Sequence, residues 1–277
     1  ALQGDTLWIG SLNGLYTYQL NTKKLASLDS KSNGLPHHTI YSIIRTTDNQ
    51  IYIGTYNGLC RYIEESGKFE NIPLPVNRNV SNLFVNSLLE DTSRQCIWIG
   101  MEGSLFQYTP ATGLMKPIDA FHNNSIKSLA LDGDGNLLAG TDNGLYVYQN
   151  DNGTLQHIVH DSRNIQSLTN NIIWNIFADQ EQNIWLGTDY GISLSRYNSA
   201  LQFIPISQIT GTGDGNQFYS LFRDSKGFYW FGGTNGVIRF TNPTGNKHDA
   251  VWYRMGDKHR PTTVSDTSTK TENNNSG

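Results

Sequence analysis

The side chains from which hydrolytic or metal chemistry is usually built are present but scattered. The chain has seven histidines, two cysteines and 24 acidic residues. His37 and His38 are adjacent, so on an extended strand they point to opposite faces. His157 and His160 stand three apart and also diverge if extended, while His122, His248 and His259 are isolated. Neither His-x-His nor HExxH occurs, so no metal or other cofactor is expected. Cys60 and Cys96 share no spacing motif and are expected as two buried free thiols rather than a disulfide.

Two acidic motifs need closer reading. DGDGN, from Asp132 to Asn136, begins like a calcium loop. Its sixth position is Leu137 where such a loop turns on Gly, and its twelfth is Asn143 where the loop needs Glu. It reads as a β-turn. DSKGFYW, from Asp224 to Trp230, resembles the aspartate box of sialidases, but Phe222 replaces the expected Ser or Thr and the Gly is displaced by one. This stretch also reads as a turn. With no GxSxG and no phosphate loop, the chain is not expected to be an enzyme. A lyase-like or sialidase-like activity is the remoter alternative, and a protein-interaction scaffold the nearer one.

What the sequence does write clearly is a repeat. LWIGSLNGLYTY, IYIGTYNGLCRY, IWIGMEGSLFQY, LLAGTDNGLYVY, IWLGTDYGISLSRY and YWFGGTNGVIRF align on Gly10, Gly54, Gly100, Gly140, Gly187 and Gly232. The anchors are 44, 46, 40, 47 and 45 residues apart. A β-type run ending in a polar turn precedes all but the first, as in TIYSIIRTTDNQ and IIWNIFADQEQN, and a further apolar run follows, as in GKFENIPL. Each unit therefore reads as four strands, and this period fits a β-propeller blade. The turn Thr-x-Asn-Gly suits a hairpin, and a glycine inside the second strand marks close approach by another group. Trp8, Trp98, Trp185 and Trp230 fall at equivalent positions, with Tyr52 and Leu138 in their place elsewhere, and are expected to fill the core between blades.

The predicted fold is all-β: a propeller over residues 1–256 of about six four-stranded antiparallel blades, either a closed disc or part of a larger ring. The first copy lacks a strand before Leu7, VWYRM supplies the last outer strand, and residues 257–277 read as a polar, disordered tail. Composition agrees: 37% hydrophobic, 11% aromatic, 16% charged and 27 glycines suit many short strands. A net charge of −4 argues against nucleic acid as a partner, and no apolar run is long enough to span a bilayer.

What remains is a binding surface on the loops at one end of the blades. Tyr56, Arg78, Asp161, Arg163, Asp189, Tyr190, Asn216 and Asn235 are the chosen ligand contacts. Aromatic rings can cover the C–H faces of sugars, and amides and charges can bond their hydroxyls, with Arg78 and Arg163 suited to an acidic sugar.

IWLGTDYGISLSRY, LWIGSLNGLYTY, IYIGTYNGLCRY and DSKGFYWFGGTNGVIRF resemble the regulator-propeller repeat, over about Leu7 to Met255. That repeat fills the sensor region of hybrid two-component systems of Bacteroides-type bacteria. The resemblance implies a periplasmic, non-catalytic sensor of glycan-derived oligosaccharides that regulates polysaccharide utilisation. It also implies a second propeller and kinase-linked domains as partners, and the open edge of the predicted ring offers pairing with a second copy.

Overall fold

A computed structural model describes residues 1–28, 33–75, 83–121, 123–149, 151–197, 203–207, 216–241, 250–254 and 262–263. Arg78, His122, Asp214, His248 and His259 lie outside the described residues, as does the C-terminal segment apart from Thr262–Thr263. The chain divides into two compact units, Ala1–Leu129 and Ala130–Gly277.

Strands run as the repeat demands, and the six antiparallel sheets are the blades of a β-propeller. The first sheet is built from Leu2–Gln3, Thr6–Ser11, Gly14–Gln19 and Lys24–Leu28. The second uses Ile40–Arg45, Ile51–Thr55, Gly58–Ile63 and Lys68–Ile72, and the third Val85–Asp91, Cys96–Met101, Ser104–Thr109 and Leu114–Pro117. The fourth, Ile126–Leu131, Leu137–Thr141, Gly144–Gln149 and Thr154–Ile158, begins at the division between the units. The fifth comprises Ile173–Ala178, Ile184–Thr188, Gly191–Ser195 and Phe203–Pro205. The sixth comprises Phe218–Arg223, Tyr229–Gly233, Gly236–Phe240 and Val251–Tyr253.

Two details differ from the sequence reading. Leu2–Gln3 pairs with Thr6 and Leu7, so the first sheet does have a strand before Leu7. It is only two residues long, too short for any alternation to register. Thr262–Thr263 pairs outside Val251–Tyr253, making the sixth sheet five-stranded.

Sheets stack on one another through apolar faces. In the first unit Trp8, Ile53, Cys60 and Phe69 form one core, and Tyr52, Val85, Ile99 and Phe106 the next. Burial pushes the Cys60 thiol up to about 12, which keeps it protonated and inert. In the second unit Leu138, Ile173, Leu186 and Phe203 pack together. There Trp185 lies 4.8 Å from the Tyr229 ring and 5.5 Å from Phe231. Trp8, Tyr52, Trp98, Leu138 and Trp185 thus serve as core, whereas Trp230, expected there as well, is only half-buried and stacks on Tyr253 of its own sheet at 5.7 Å.

The strand glycines make that stacking possible. A Cβ on Gly10, Gly100 or Gly140 would lie 2.5, 2.6 or 2.7 Å from Ile40, Ile126 or Ile173. On Gly54 it would meet the Val85 carbonyl oxygen at 2.6 Å, and on Gly187 that of Phe218 at 2.5 Å. Each partner is the first residue of the next sheet's first strand. Only hydrogen fits beneath it. Gly232 is the exception: its nearest neighbour is Ser220 of its own sheet, at 3.6 Å.

Acidic turns between first and second strands are pinned to the same aromatics. The indole of Trp98 donates to Asp91 at 3.1 Å, that of Trp185 to Asp179 at 2.8 Å and that of Trp230 to Asp224 at 2.8 Å. After DGDGN, where Leu138 offers no side-chain donor, the Asn136 amide alone donates from its side chain to Asp132, at 2.9 Å, as the Asn183 amide does beside Trp185 on Asp179. Both acidic motifs are therefore structural turns. Burial alone would raise the Asp91 carboxyl, but hydrogen bonds from Ser93, Trp98 and Arg94 outweigh it and hold the group below the usual carboxylate range.

Gly187→Ala is expected to destabilise the fold by about 1–3 kcal/mol through overpacking, whereas Gly232→Ala should stay near wild type; urea unfolding of the two variants checks this. The Asp91 carboxyl, with its pKa lowered in the fold, contributes stability above the unfolded value of 3.8 that is lost as pH falls through the folded one. Trp98→Phe removes a donor and shrinks that contribution. Its stability deficit should be larger at neutral pH than in acid well below pH 3.8, and an equal deficit at both would refute the account.

Candidate functional site

The hairpin between second and third strands is locked by its threonine. Thr55 Oγ1 donates to the Gly58 carbonyl at 2.9 Å and accepts from the Asn57 N–H at 3.1 Å. Thr188 repeats this with Gly191 at 2.8 Å and Tyr190 at 3.2 Å. Gly58 and Gly191 close the turns at φ of 115° and 99°, open to glycine at no steric cost. With the threonine turned inward, Tyr56 and Asn57, or Asp189 and Tyr190, are left at the tip.

A second device aims side chains toward these tips. The first strand carries a bulge after its first residue in the second, third, fifth and sixth sheets. The extra residues are Tyr41, Asn86, Trp174 and Tyr219. A bulge breaks the alternation and re-aims one side chain. Tyr41 and Tyr219 are each 43% exposed despite standing beside the fully packed knobs Ile40 and Phe218.

In the first unit these devices assemble a row of rings. His37 stacks on His38 at 4.3 Å and faces Tyr56 at 4.8 Å; Tyr56 meets Phe84 at 4.2 Å, and Phe84 meets Tyr41 at 6.1 Å. The two histidines lie in a loop rather than a strand, so the expectation that they diverge is corrected: a turn brings both rings to one side. His37 Nδ1 accepts the Thr39 N–H at 3.0 Å, which places the proton of the neutral ring on Nε2. Burial, and secondarily the neighbouring His38, lowers the His37 pKa and favours that neutral form.

In the second unit the cluster is aromatic and acidic. Asp189 Oδ1 accepts the Trp174 indole N–H at 3.0 Å and the Gln217 amide at 2.6 Å. The Tyr219 hydroxyl donates to Gln217 Oε1, and the Tyr219 ring meets Trp174 edge-on at 5.3 Å. Tyr190, next to Asp189, is 54% exposed. It also lines a shallow cavity of about 300 Å³ with His160, Asp161, Ile165 and Thr169. Arg163 pairs with Asp161 at 3.2 Å, and its backbone and side-chain hydrogen bonds hold the Asp161 carboxyl below the usual range.

The expected contacts therefore separate. Tyr56 joins the ring row of the first unit, Asp189 and Tyr190 share the acidic cluster, and Asp161 and Arg163 form their own pair beside the cavity. Asn216 is buried and holds the sixth sheet's hairpin, accepting from Thr234 Oγ1 at 2.6 Å and from the Asn235 N–H at 3.1 Å. Its Nδ2 has no partner among the described residues. Phe84, Tyr41, Trp174, Gln217 and Tyr219 were not among the expected contacts. The available signal was the recurring aromatic one place after the knob in TIYSI, IIWNI and QFYSL.

Comparison with known proteins places this architecture. The profile of the two-component regulator propeller matches residues 34–57, 167–190 and 212–235. The extracellular domain of a hybrid two-component system from B. thetaiotaomicron is 81% identical, with a TM-score of 0.69, over 93% of this chain and 35% of that one. Histidine kinase P4 of Formosa agariphila is 30% identical over 85% of this chain and 18% of its own length. The chain thus spans well under two thirds of either relative. A streptogramin B lyase, 15% identical with a TM-score of 0.67 over 93% of this chain and 82% of the lyase, shares the fold alone. No helix among the described residues is long and apolar enough to cross a membrane. Three stretches of this chain thus match the two-component regulator propeller repeat.

Proposed function

We propose that the chain is the ligand-sensing part of the periplasmic region of a hybrid two-component system, without catalysis of its own, and that it detects oligosaccharides released from glycans and so regulates polysaccharide utilisation. The likeness to extracellular domains of such systems supports the placement. The observation that carries the ligand class is local: at the blade ends, a half-buried indole, Trp174, and an exposed phenol ring, Tyr219, stand beside a fixed amide, Gln217, and a carboxylate, Asp189. Such pairing of a ring face with hydrogen-bonding groups at its margin suits sugars, whose C–H faces and hydroxyls alternate around one ring. The signal would pass to a kinase elsewhere in the intact protein, which, with a second propeller, is the partner expected.

A second reading, docking to another protein or to a second copy, is favoured by one feature. Ile9, on the second strand of the first sheet, is 37% exposed, whereas its equivalents Ile53, Ile99 and Leu186 are fully buried. Leu12, Leu20 and Leu25 on the same sheet are 66%, 44% and 62% exposed.

Titration calorimetry of the intact extracytoplasmic region against oligosaccharides of plant, fungal and host glycans is expected to find at least one binder. Silence across the panel, together with concentration-dependent association in light scattering, would favour the docking reading instead.

A further inference from the structure

We propose that the Asp189 cluster reads a neutral sugar, with the outer carboxylate oxygen as hydroxyl acceptor and the Trp174–Tyr219 ring pair as its wall. The inference rests on the oligosaccharide reading above and narrows it to a site and a charge class.

Three observations converge. First, the carboxylate is held in place. Its Oδ1 takes two N–H donors, from Trp174 of the fifth sheet at 3.0 Å and from Gln217, the residue before the sixth sheet's first strand, at 2.6 Å. A group fixed from two sides loses little freedom when a ligand arrives, and so binds more tightly for the same contact. Asp189 is only half-buried, and its other oxygen is not used by Trp174 or Gln217. A carboxylate only accepts, so its natural partner there is a donor such as a hydroxyl.

Second, the rings are placed by backbone rather than by side-chain preference. Trp174 and Tyr219 are both bulge residues at the same position of successive sheets. Each is anchored again at its polar tip, the indole on Asp189 and the hydroxyl on Gln217. The chain Trp174, Asp189, Gln217, Tyr219 is closed by the edge-on contact of its two end rings. Rings held so leave their orientation unchanged between free and bound states.

Third, the charges point one way. The cluster holds a carboxylate, and none of its four linked side chains is cationic. Arg163, one of the two cations the sequence offered to an acidic sugar, is engaged by Asp161. A uronic acid would bring a second carboxylate against Asp189, and like charges in a partly desolvated site repel.

The test uses the intact protein and a panel of maltohexaose, cellohexaose, mannohexaose and xylohexaose against hexagalacturonate. Wild type should bind a neutral member and not the acidic one. Asp189→Asn should weaken that binding by about ten- to a hundredfold, the loss expected for a hydrogen bond to a charged group. Because Trp174 sits in the wall, binding should change tryptophan fluorescence, and Trp174→Phe should abolish that change while the variant still melts cooperatively. Glu65→Gln, on an exposed turn of the second sheet, should bind as wild type does. Neutral-sugar binding that survives both Asp189→Asn and Trp174→Phe overturns the site but leaves oligosaccharide sensing standing. Binding of hexagalacturonate alone overturns the charge class, and binding of no sugar overturns this inference and the sensing reading together.

Discussion

One steric contact organises the molecule: the first residue of a sheet's first strand presses into the glycine of the preceding sheet's second strand. Ile40, Val85, Ile126, Ile173 and Phe218 are these knobs, and Gly10, Gly54, Gly100, Gly140 and Gly187 their notches. Any Cβ in the notch would stand less than a van der Waals contact from the knob or its carbonyl. Stacking of this kind is close-packed, so the spacing between sheets is set at every repeat by the smallest side chain rather than by the largest. The tryptophans then fill the space the contact leaves. Trp185, flanked by Tyr229, Phe231 and Phe240, shows how much ring area one such gap accepts.

The same contact reaches the hairpin end of the blades. Immediately after the knob comes the bulge residue, and immediately after that a small polar residue that is often a serine. Ser42 accepts the Leu88 N–H at 3.1 Å, and Ser87 accepts the Leu129 N–H at 3.1 Å. The bulged side chain is thereby gripped on both sides, by a packed knob before it and a hydrogen bond to the next sheet after it. Tyr41 projects from this backbone, while the Asn86 amide donates to the carbonyl of the next knob, Ile126, at 3.1 Å. Structural packing and presentation of a binding group are, in this fold, three consecutive residues.

That coupling explains what the sequence disclosed and what it hid. The repeat, the hairpins at Thr-x-Asn-Gly and the crowded glycines were legible because each rests on a residue type with one physical reason to be there. Asp132 and Asp224 were legible as turns for the same cause. Tyr41, Trp174 and Tyr219 were not, because a bulge shifts the two-residue alternation by one place and a string of apolar letters does not say where. His37 and His38 misled in a similar way: opposed faces follow from a strand, and these residues are in a loop. Asn216 looked like a surface amide because burial of its side chain depends on Thr234 and Asn235, eighteen and nineteen residues further along. Leu2–Gln3 was too short to carry any pattern at all.

A repeat protein can be read for function by asking where its copies disagree. Knob, notch glycine and hairpin glycine are held nearly constant along this chain, and from the first to the fifth sheet the notch glycine meets the same steric demand. The bulge position carries Tyr41, Asn86, Trp174 and Tyr219, and the hairpin tip carries Tyr56, Glu102, Asp142 and Asp189. The phenols Tyr41 and Tyr219 are largely exposed, whereas the amide of Asn86 and the indole of Trp174 are committed to Ile126 and Asp189. At the exposed positions the variation is therefore free to encode recognition, and it is concentrated where the backbone is most firmly held. Substitution at the tips and bulges leaves untouched the knob and notch contacts that keep the blades stacked.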